Sequence, residues 1–415
     1  MNTPFHVMAK PIGPICNLDC AYCYYLEKEA QYPATGSWRI EDATLETYIR
    51  QYIEAHDSPE IGFAWQGGEP TLLGVSFFEH VIELQNRYAD GKRITNSIQT
   101  NGTLLDDEWC QFLQANMFLV GISIDGPREL HDRFRVDKNA RPTFDLVMRG
   151  LNLLKKHGVE FNTLTVVSRA NSSKPLDVYH FLKEIGSRYI QFIPVVERVN
   201  GLSKNGLIQL APPMRHNSED RSKVTPWSVG SVAFGDFLVA VFDEWVRQDV
   251  GNVFVQMFDI ALGQWAGEPA GLCVFDVTCG RGLAMERNGD VFSCDHYVYP
   301  EYRLGNVNSE SLREMADSAR QLKFGDDKRD LLVDDCVACD VRFACNGDCP
   351  KHRFRRSSSG QMGLSYLCPS YKRFFSHVDP YMRTMASLLK AQRPPAEIMR
   401  MISVDSASGA KSGVR

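Results

Sequence analysis

Cys16-Asn17-Leu18-Asp19-Cys20-Ala21-Tyr22-Cys23-Tyr24-Tyr25 is the stretch whose reading decides the fold. It follows an apolar run, His6–Ile12, and spaces three thiols as C-x3-C-x2-C. Three thiolates on one short loop can hold three irons of a [4Fe–4S] cube and leave the fourth iron without a protein ligand. An open iron is a place to bind and break a small molecule. A structural zinc site would want a closed set of four ligands. The next cysteine, Cys110, stands far along the chain in a helical pattern, where it reads as a small buried hydrophobe.

Outward from this loop, residues 6–196 alternate short apolar runs with amphipathic stretches. Strands are predicted at His6–Ile12, Ile61–Trp65, Ile94–Gln99, Leu119–Ile124, Phe161–Val167 and Tyr189–Val195. Helical periodicity lies between them at Glu41–His56, Val75–Tyr88, Leu105–Ala115, Thr143–His157 and Pro175–Ile185. Six strands separated by five helices imply right-handed βα units and a parallel sheet, an α/β fold. A closed eight-stranded barrel would need two more units, so the expectation is a partial (β/α)6 barrel of TIM type. Its active rim should lie at the C-terminal ends of the strands. The motifs agree with that rim. The cysteine triplet follows the first strand, Gln66-Gly67-Gly68-Glu69-Pro70 the second, Thr100-Asn101-Gly102 the third, and Asp125-Gly126-Pro127, just after Ser123, the fourth.

Residues 200–228 are polar and read as a linker or excursion, and Val232–Gln248 is helical. Eight cysteines then stand as Cys273-x5-Cys279-x14-Cys294 and Cys336-x2-Cys339-x5-Cys345-x3-Cys349, with Cys368 last. Eight thiolates suit two four-ligand sites. Leu283–Tyr297 reads as a hairpin turning at Asn288-Gly289. The expected divisions are a barrel over 1–230, a cysteine-rich unit over 231–385, and a helix end with a disordered tail over 386–415, the tail beginning at Ser403.

Composition sets the outer limits. The chain has 415 residues, 44% hydrophobic and 23% charged, with a net charge of −5, so neither nucleic acid nor an anionic membrane is an expected partner. No apolar run reaches membrane-spanning length and the first residues lack a secretory pattern, which makes the cytoplasm the expected compartment. Thiols stay reduced there, so the twelve cysteines are not read as disulfides.

The cysteine triplet followed by Gly-Gly-Glu resembles the radical S-adenosylmethionine (SAM) enzymes. The resemblance implies that SAM chelates the iron left open by Cys16, Cys20 and Cys23 and is cleaved to a 5′-deoxyadenosyl radical. It also implies cofactor contacts from Tyr22 (through its backbone), Gly67, Gly68, Glu69, Asn101, Ser123 and Arg135, with Glu69 pairing the SAM ammonium and Arg135 its carboxylate. The eight later cysteines resemble a SPASM domain, the extension that holds two auxiliary [4Fe–4S] clusters. Its interleaved pairing, carried over, gives Cys273, Cys279, Cys294 and Cys349 to one cluster and Cys336, Cys339, Cys345 and Cys368 to the other, three clusters in all.

Within that group the sequence is most similar to the anaerobic sulfatase-maturating enzymes, through residues 16–25, Gln66 before Gly-Gly-Glu-Pro, Gln99-Thr-Asn-Gly, Ser123-Ile-Asp-Gly-Pro, Gln191-Phe-Ile-Pro and Cys294-Asp295. The resemblance implies conversion of a cysteine or serine of a sulfatase to Cα-formylglycine. Asp295 would be the general base, Gln66 and Tyr25 would orient the substrate, and the auxiliary clusters would accept the electron. The substrate would carry a Cys- or Ser-x-Pro-x-Arg motif, the electron donor would be a flavodoxin or ferredoxin, and the protein a monomer. His296 is a competing base, but strand alternation would turn it away from Asp295. A different SPASM maturase, acting on a ribosomally made peptide, is the alternative enzyme. Such proteins often carry an N-terminal peptide-recognition domain, for which a triplet beginning at residue 16 would leave no room. A non-enzymatic iron–sulfur or zinc protein is the alternative of another class.

Overall fold

The computed structural model describes residues 3–32, 36–202, 208–213 and 223–409. The six predicted strands are present as β1 (His6–Lys10), β2 (Glu60–Trp65), β3 (Arg93–Thr100), β4 (Leu119–Ser123), β5 (Phe161–Val167) and β6 (Tyr189–Pro194), paired in parallel in that order. Between them run α1 (Asp42–Glu54), α2 (Val75–Tyr88), α3 (Asp107–Ala115), the single turn α4 (Arg128–His131), α5 (Phe144–His157) and α6 (Pro175–Glu184). Their ends follow local chemistry. The Asp106 carboxylate accepts from the Trp109 amide and caps α3, and Gly158, at φ +67°, closes α5 in a left-handed turn. Apolar faces of the helices meet the sheet in an aromatic core that includes Tyr48, Tyr52, Phe63, Trp65 and Phe78, all buried.

The sheet does not stop at six strands. A short β9 (Phe254–Val255) pairs in parallel with β6, after α7 (Ala233–Gln248). On the opposite edge, β10 (Gly282–Glu286) pairs in parallel with β1, and β11 (Asp290–Phe292) and β12 (Arg303–Asn306) continue antiparallel. The result is one open ten-stranded sheet in the order β12-β11-β10-β1-β2-β3-β4-β5-β6-β9. Pairing with the hairpin satisfies the free edge of β1, which an isolated six-stranded sheet would leave exposed. It also places the residue after Cys294 beside the end of β1. The ladder therefore crosses the boundary expected at 230.

Two other expectations change. The polar excursion contains an antiparallel pair, β7 (Val199–Leu202) with β8 (Ile208–Leu210); much of 203–222 lies outside the described residues. The helix Cys368–Lys390 runs through the boundary expected at 385, and a further helix, Ile398–Gly409, occupies the first part of the tail read as disordered. Residues 410–415 lie outside the described ones. Among the described residues no helix is long and apolar enough to cross a membrane. Cys110 is buried in α3, as expected.

Candidate active site

The rim is built by backbone docking of one loop on another. The Gly68 amide donates to the Gly13 carbonyl at 2.7 Å and the Glu69 amide to Ile15 at 2.9 Å. A Cβ on Gly68 would stand 2.0 Å from the Ile15 carbonyl oxygen, so only glycine fits. Gly67 adopts φ +140° beside Gly13. The two glycines thus permit a close approach to the cysteine loop. Glu69 is fully buried. Its carboxylate accepts from the Thr71 amide and hydroxyl (3.0 and 2.6 Å), the Thr100 hydroxyl (2.7 Å) and the Asn101 amide (2.7 Å), which ties the second and third rim loops together. Asn101 donates to Asn17 at 2.9 Å, with the Cys16 sulfur 3.8 Å from the same nitrogen.

On the other flank, Asp125 organises Tyr22 and Arg135. Its carboxylate accepts from the Tyr22 hydroxyl at 2.5 Å and from Arg135 Nε at 3.1 Å, and the guanidinium carbon lies 5.6 Å from the Tyr22 ring centre. Arg135 comes from a charged stretch that would ordinarily be solvated, yet it is buried. Ser123 accepts from Gln99 at 3.0 Å. Asn101 and Arg135 therefore reach the cysteine loop through Asn17 and through Asp125 and Tyr22, and Ser123 is held by Gln99.

Asp295 stands at the end of β1. It pairs with Lys10, the last residue of β1, and accepts a hydrogen bond from the Tyr24 hydroxyl. Burial pushes its carboxyl pKa up, but Lys10, His296 and Tyr24 outweigh burial and hold it down at about 2. Lys10 is also stacked on the Tyr25 ring, 3.5 Å from its centre. Tyr25 donates to both oxygens of Glu286 (2.6 and 2.7 Å) on β10, so its hydroxyl is turned away from Asp295. The tyrosine touching the candidate base is Tyr24. Gln66 follows β2, its amide bonded to Ala9 of β1 at 2.9 Å, on the same rim. Alternation does not separate His296 from Asp295, because Asp295–Tyr297 is one 3-10 turn and not a strand. His296 stands edge-on to Tyr24, with Nδ1 3.8 Å from the Cys349 sulfur; burial pushes its pKa down to about 3.

Lys10, Tyr24 and Glu286 escaped the sequence reading as functional residues, and Asp125 was read only as part of a rim motif. A lysine ending an otherwise apolar strand was the available signal for Lys10. Nothing local separates Tyr24 from Tyr25.

The later cysteines divide into two groups. Burial raises the thiol pKa of Cys294, and Cys349 and Cys273 raise it further; Cys349, at about 12, is raised after burial by Asp348 and then by Cys273 and Cys279. Cys336, Cys339, Cys345 and Cys368 line one cavity together, beside Arg342 and Lys372. Burial lifts Cys16 and Cys20 to about 12, so these thiols would ionise only against strong positive charge such as iron supplies. Among the described residues no three Cys, His, Asp or Glu side chains converge on a point that would hold a single metal ion.

Comparison with known proteins agrees with this geometry. The Radical SAM superfamily model matches residues 11–182, and the iron-sulfur cluster-binding SPASM model matches 278–340. A serine-type anaerobic sulfatase-maturating enzyme of Bacteroides thetaiotaomicron is 48% identical over 400 residues, 96% of this chain and 95% of that protein. A cysteine-type enzyme of Clostridium perfringens is 32% identical over 391 residues, 93% of this chain and 100% of that one. A solved structure described as native anSMEcpe with bound AdoMet and Cp18Cys peptide superposes with a TM-score of 0.79 at 32% identity, covering 93% of this chain and 99% of that one. The chain belongs to the anaerobic sulfatase-maturating enzymes, a family of radical SAM proteins with a SPASM iron–sulfur domain.

Proposed function

We propose that this protein oxidises a cysteine or serine of a sulfatase polypeptide to Cα-formylglycine, with Asp295 as the general base. The observation that carries the reading is the Lys10–Asp295–Tyr24 constellation, a partly buried carboxylate kept ionised on the residue after Cys294 and bonded to the residue after Cys23. When bound at Cys16, Cys20 and Cys23, the cluster and SAM supply a 5′-deoxyadenosyl radical that takes a hydrogen atom from the substrate Cβ. Asp295 accepts the proton of the substrate thiol or hydroxyl while the remaining electron would pass to an auxiliary cluster held by the C-terminal cysteines; a serine then gives the aldehyde directly, and a cysteine gives a thioaldehyde that water hydrolyses with release of sulfide. Lys10 keeps that carboxylate charged before the substrate arrives, and Tyr24 fixes its orientation. Gln66 and the Tyr25 ring wall the substrate side of the rim, Tyr25 acting through Lys10. Gly67, Gly68, Glu69, Asn101, Ser123, Tyr22 and Arg135 form the SAM cradle, in which Glu69 mainly fixes the loops that present backbone groups.

The two C-terminal thiol groups would each hold a [4Fe–4S] cluster, three clusters in all with the N-terminal one. A flavodoxin or ferredoxin in the cytoplasm is the proposed electron donor, and the working unit is a monomer. The test is anaerobic: the reconstituted protein, SAM and a reductant are given a Ser-x-Pro-x-Arg or a Cys-x-Pro-x-Arg peptide. Aldehyde and deoxyadenosine should appear in step. Deoxyadenosine without aldehyde on either peptide would reject the sulfatase substrate and favour another SPASM maturase.

A further inference from the structure

Three lysines converge on the approach to Asp295, and they are not equivalent. Lys10 has Asp295 as its counter-charge. Lys351 has Glu197, at 2.5 Å, with its ammonium 4.6 Å from the Tyr24 ring centre. Lys28, on the 3-10 turn Leu26–Gln31 that follows the tyrosine pair, is only 4% exposed and makes no hydrogen bond or ion pair among the described residues. Its ammonium rests on the face of Tyr299, 3.1 Å from the ring centre. A ring face compensates a buried ammonium only in part, because none of its three N–H donors gains a lone-pair acceptor. Burial and the nearby Lys351 accordingly press the Lys28 pKa down to about 7.

The surroundings show where an acceptor could arrive. Tyr299 lines a cleft together with Tyr24, His296, Glu197, Lys351 and Leu210. Tyr24 is the hydrogen-bond donor to Asp295, so the inner wall of the cleft is the candidate base's own partner. The outer wall is the end of the β7–β8 pair, tied to the turn that carries Lys28 through the Leu210 amide and Glu27 carboxylate at 3.3 Å. The cleft thus lies between the polar excursion and the cysteine-rich segment, with Tyr24 standing between it and Asp295. Lys28 stands against its Tyr299 wall, lacking the acceptor that the other two lysines have.

We propose that Lys28 binds the polypeptide substrate, its ammonium donating to an oxygen acceptor, a main-chain carbonyl or an acidic side chain, of the segment that enters this cleft. This rests on the reading of the protein as a polypeptide-modifying enzyme. Lys28 does not touch the reacting atoms. It fixes the polypeptide so that its reactive residue lies over Asp295, and the substrate in turn satisfies a buried charge.

The test uses the reconstituted holoenzyme and two Ser-x-Pro-x-Arg peptides, one with flanks free of acidic residues and one with a Glu in the flank. Lys28→Met keeps length and apolar stem and removes the charge; Lys28→Arg restores it. A charge-assisted hydrogen bond lost on binding predicts a rise on the order of tenfold to a hundredfold in peptide KM and Kd for Lys28→Met, with kcat, iron content and SAM-bound EPR spectrum little changed. Lys28→Arg should recover most of the affinity. An equal loss on both peptides assigns the acceptor to the main chain, and a loss confined to the Glu peptide assigns it to an acidic side chain. Unchanged KM and Kd on both would overturn the proposal. So would a loss of kcat alone. Failure of the parent enzyme to form aldehyde on either peptide would instead reject the assigned reaction, since Kd is read separately.

Discussion

Replacing Asp295 by Asn separates two consequences that the structure joins. The Lys10 side chain is 3% exposed and that of Asp295 17%, so the substitution leaves an almost fully buried ammonium without its counter-charge. Removing one partner of a buried pair costs about 3–5 kcal/mol. Lys10 and Tyr24 bond different carboxylate oxygens, and the amide oxygen can still accept from Lys10 while the amide NH2 faces the Tyr24 hydroxyl, so the lower end, about 3 kcal/mol, is expected. That predicts a fall of several degrees in the anaerobic melting temperature with the fold retained. The chemical consequence is larger. An amide cannot take the substrate proton, and loss of a positioned base costs about 10²–10⁴ in rate. Deoxyadenosine release measures SAM cleavage and aldehyde mass measures the completed oxidation, so their ratio isolates the base. Asp295→Asn should still release deoxyadenosine while aldehyde formation falls by about 10² or more. Aldehyde production near the parental rate, from a folded variant with full iron, would refute the role given to Asp295.

Other perturbations test separate parts of the account. Gly68→Ala drives a Cβ into the Ile15 carbonyl and should undock the cysteine loop; iron analysis and EPR are expected to show loss of the N-terminal cluster with the C-terminal iron retained. Lys328 is fully buried, donates to the carbonyls of Cys273 (2.7 Å), Val274 (3.0 Å) and Asp276, and has no carboxylate partner among the described residues. Lys328→Met should therefore make the neighbouring C-terminal cluster harder to reduce, seen as a more negative midpoint in an EPR-monitored titration, while the N-terminal midpoint stays put. Asp259, at the start of the helix Gln256–Ala266, has its pKa raised by burial from 3.8 to about 7. Between those values the folded protein holds a proton that the unfolded chain has lost, so this group's contribution to stability falls as pH rises towards 7 and stays low above it. Asp259→Asn should raise the melting temperature more at pH 8 than at pH 6, and equal gains at both would contradict the shift.

Much of the architecture was legible because periodicity is a local property. Val75–Tyr88 and Phe161–Val167 have the ends read from sequence, and the other strands and helices of the barrel agree within a few residues. The pairing of β10 with the free edge of β1 was not legible, since a hairpin's alternation does not say which edge it will join. The same long-range contact hid Lys10 from Asp295, 285 residues away in sequence. Glu69, Arg135 and Asp295 were found as residue types at motif positions, but their partners were not, because burial and hydrogen bonding depend on how three loops dock. Adjacent tyrosines after the third cysteine show the limit most clearly. Tyr24 and Tyr25 differ in sequence by one step, and the turn that follows sends one hydroxyl to Asp295 and the other to Glu286.

The central claim is that a hydrogen atom leaves the Cβ of the target residue while Asp295 takes the side-chain proton. A Ser-x-Pro-x-Arg peptide deuterated at the serine Cβ tests it most directly, with the anaerobic holoenzyme and SAM. The account predicts one deuterium in the released deoxyadenosine and one retained in the aldehyde, with both products in equal amount. Deoxyadenosine free of deuterium, formed alongside aldehyde, would contradict it.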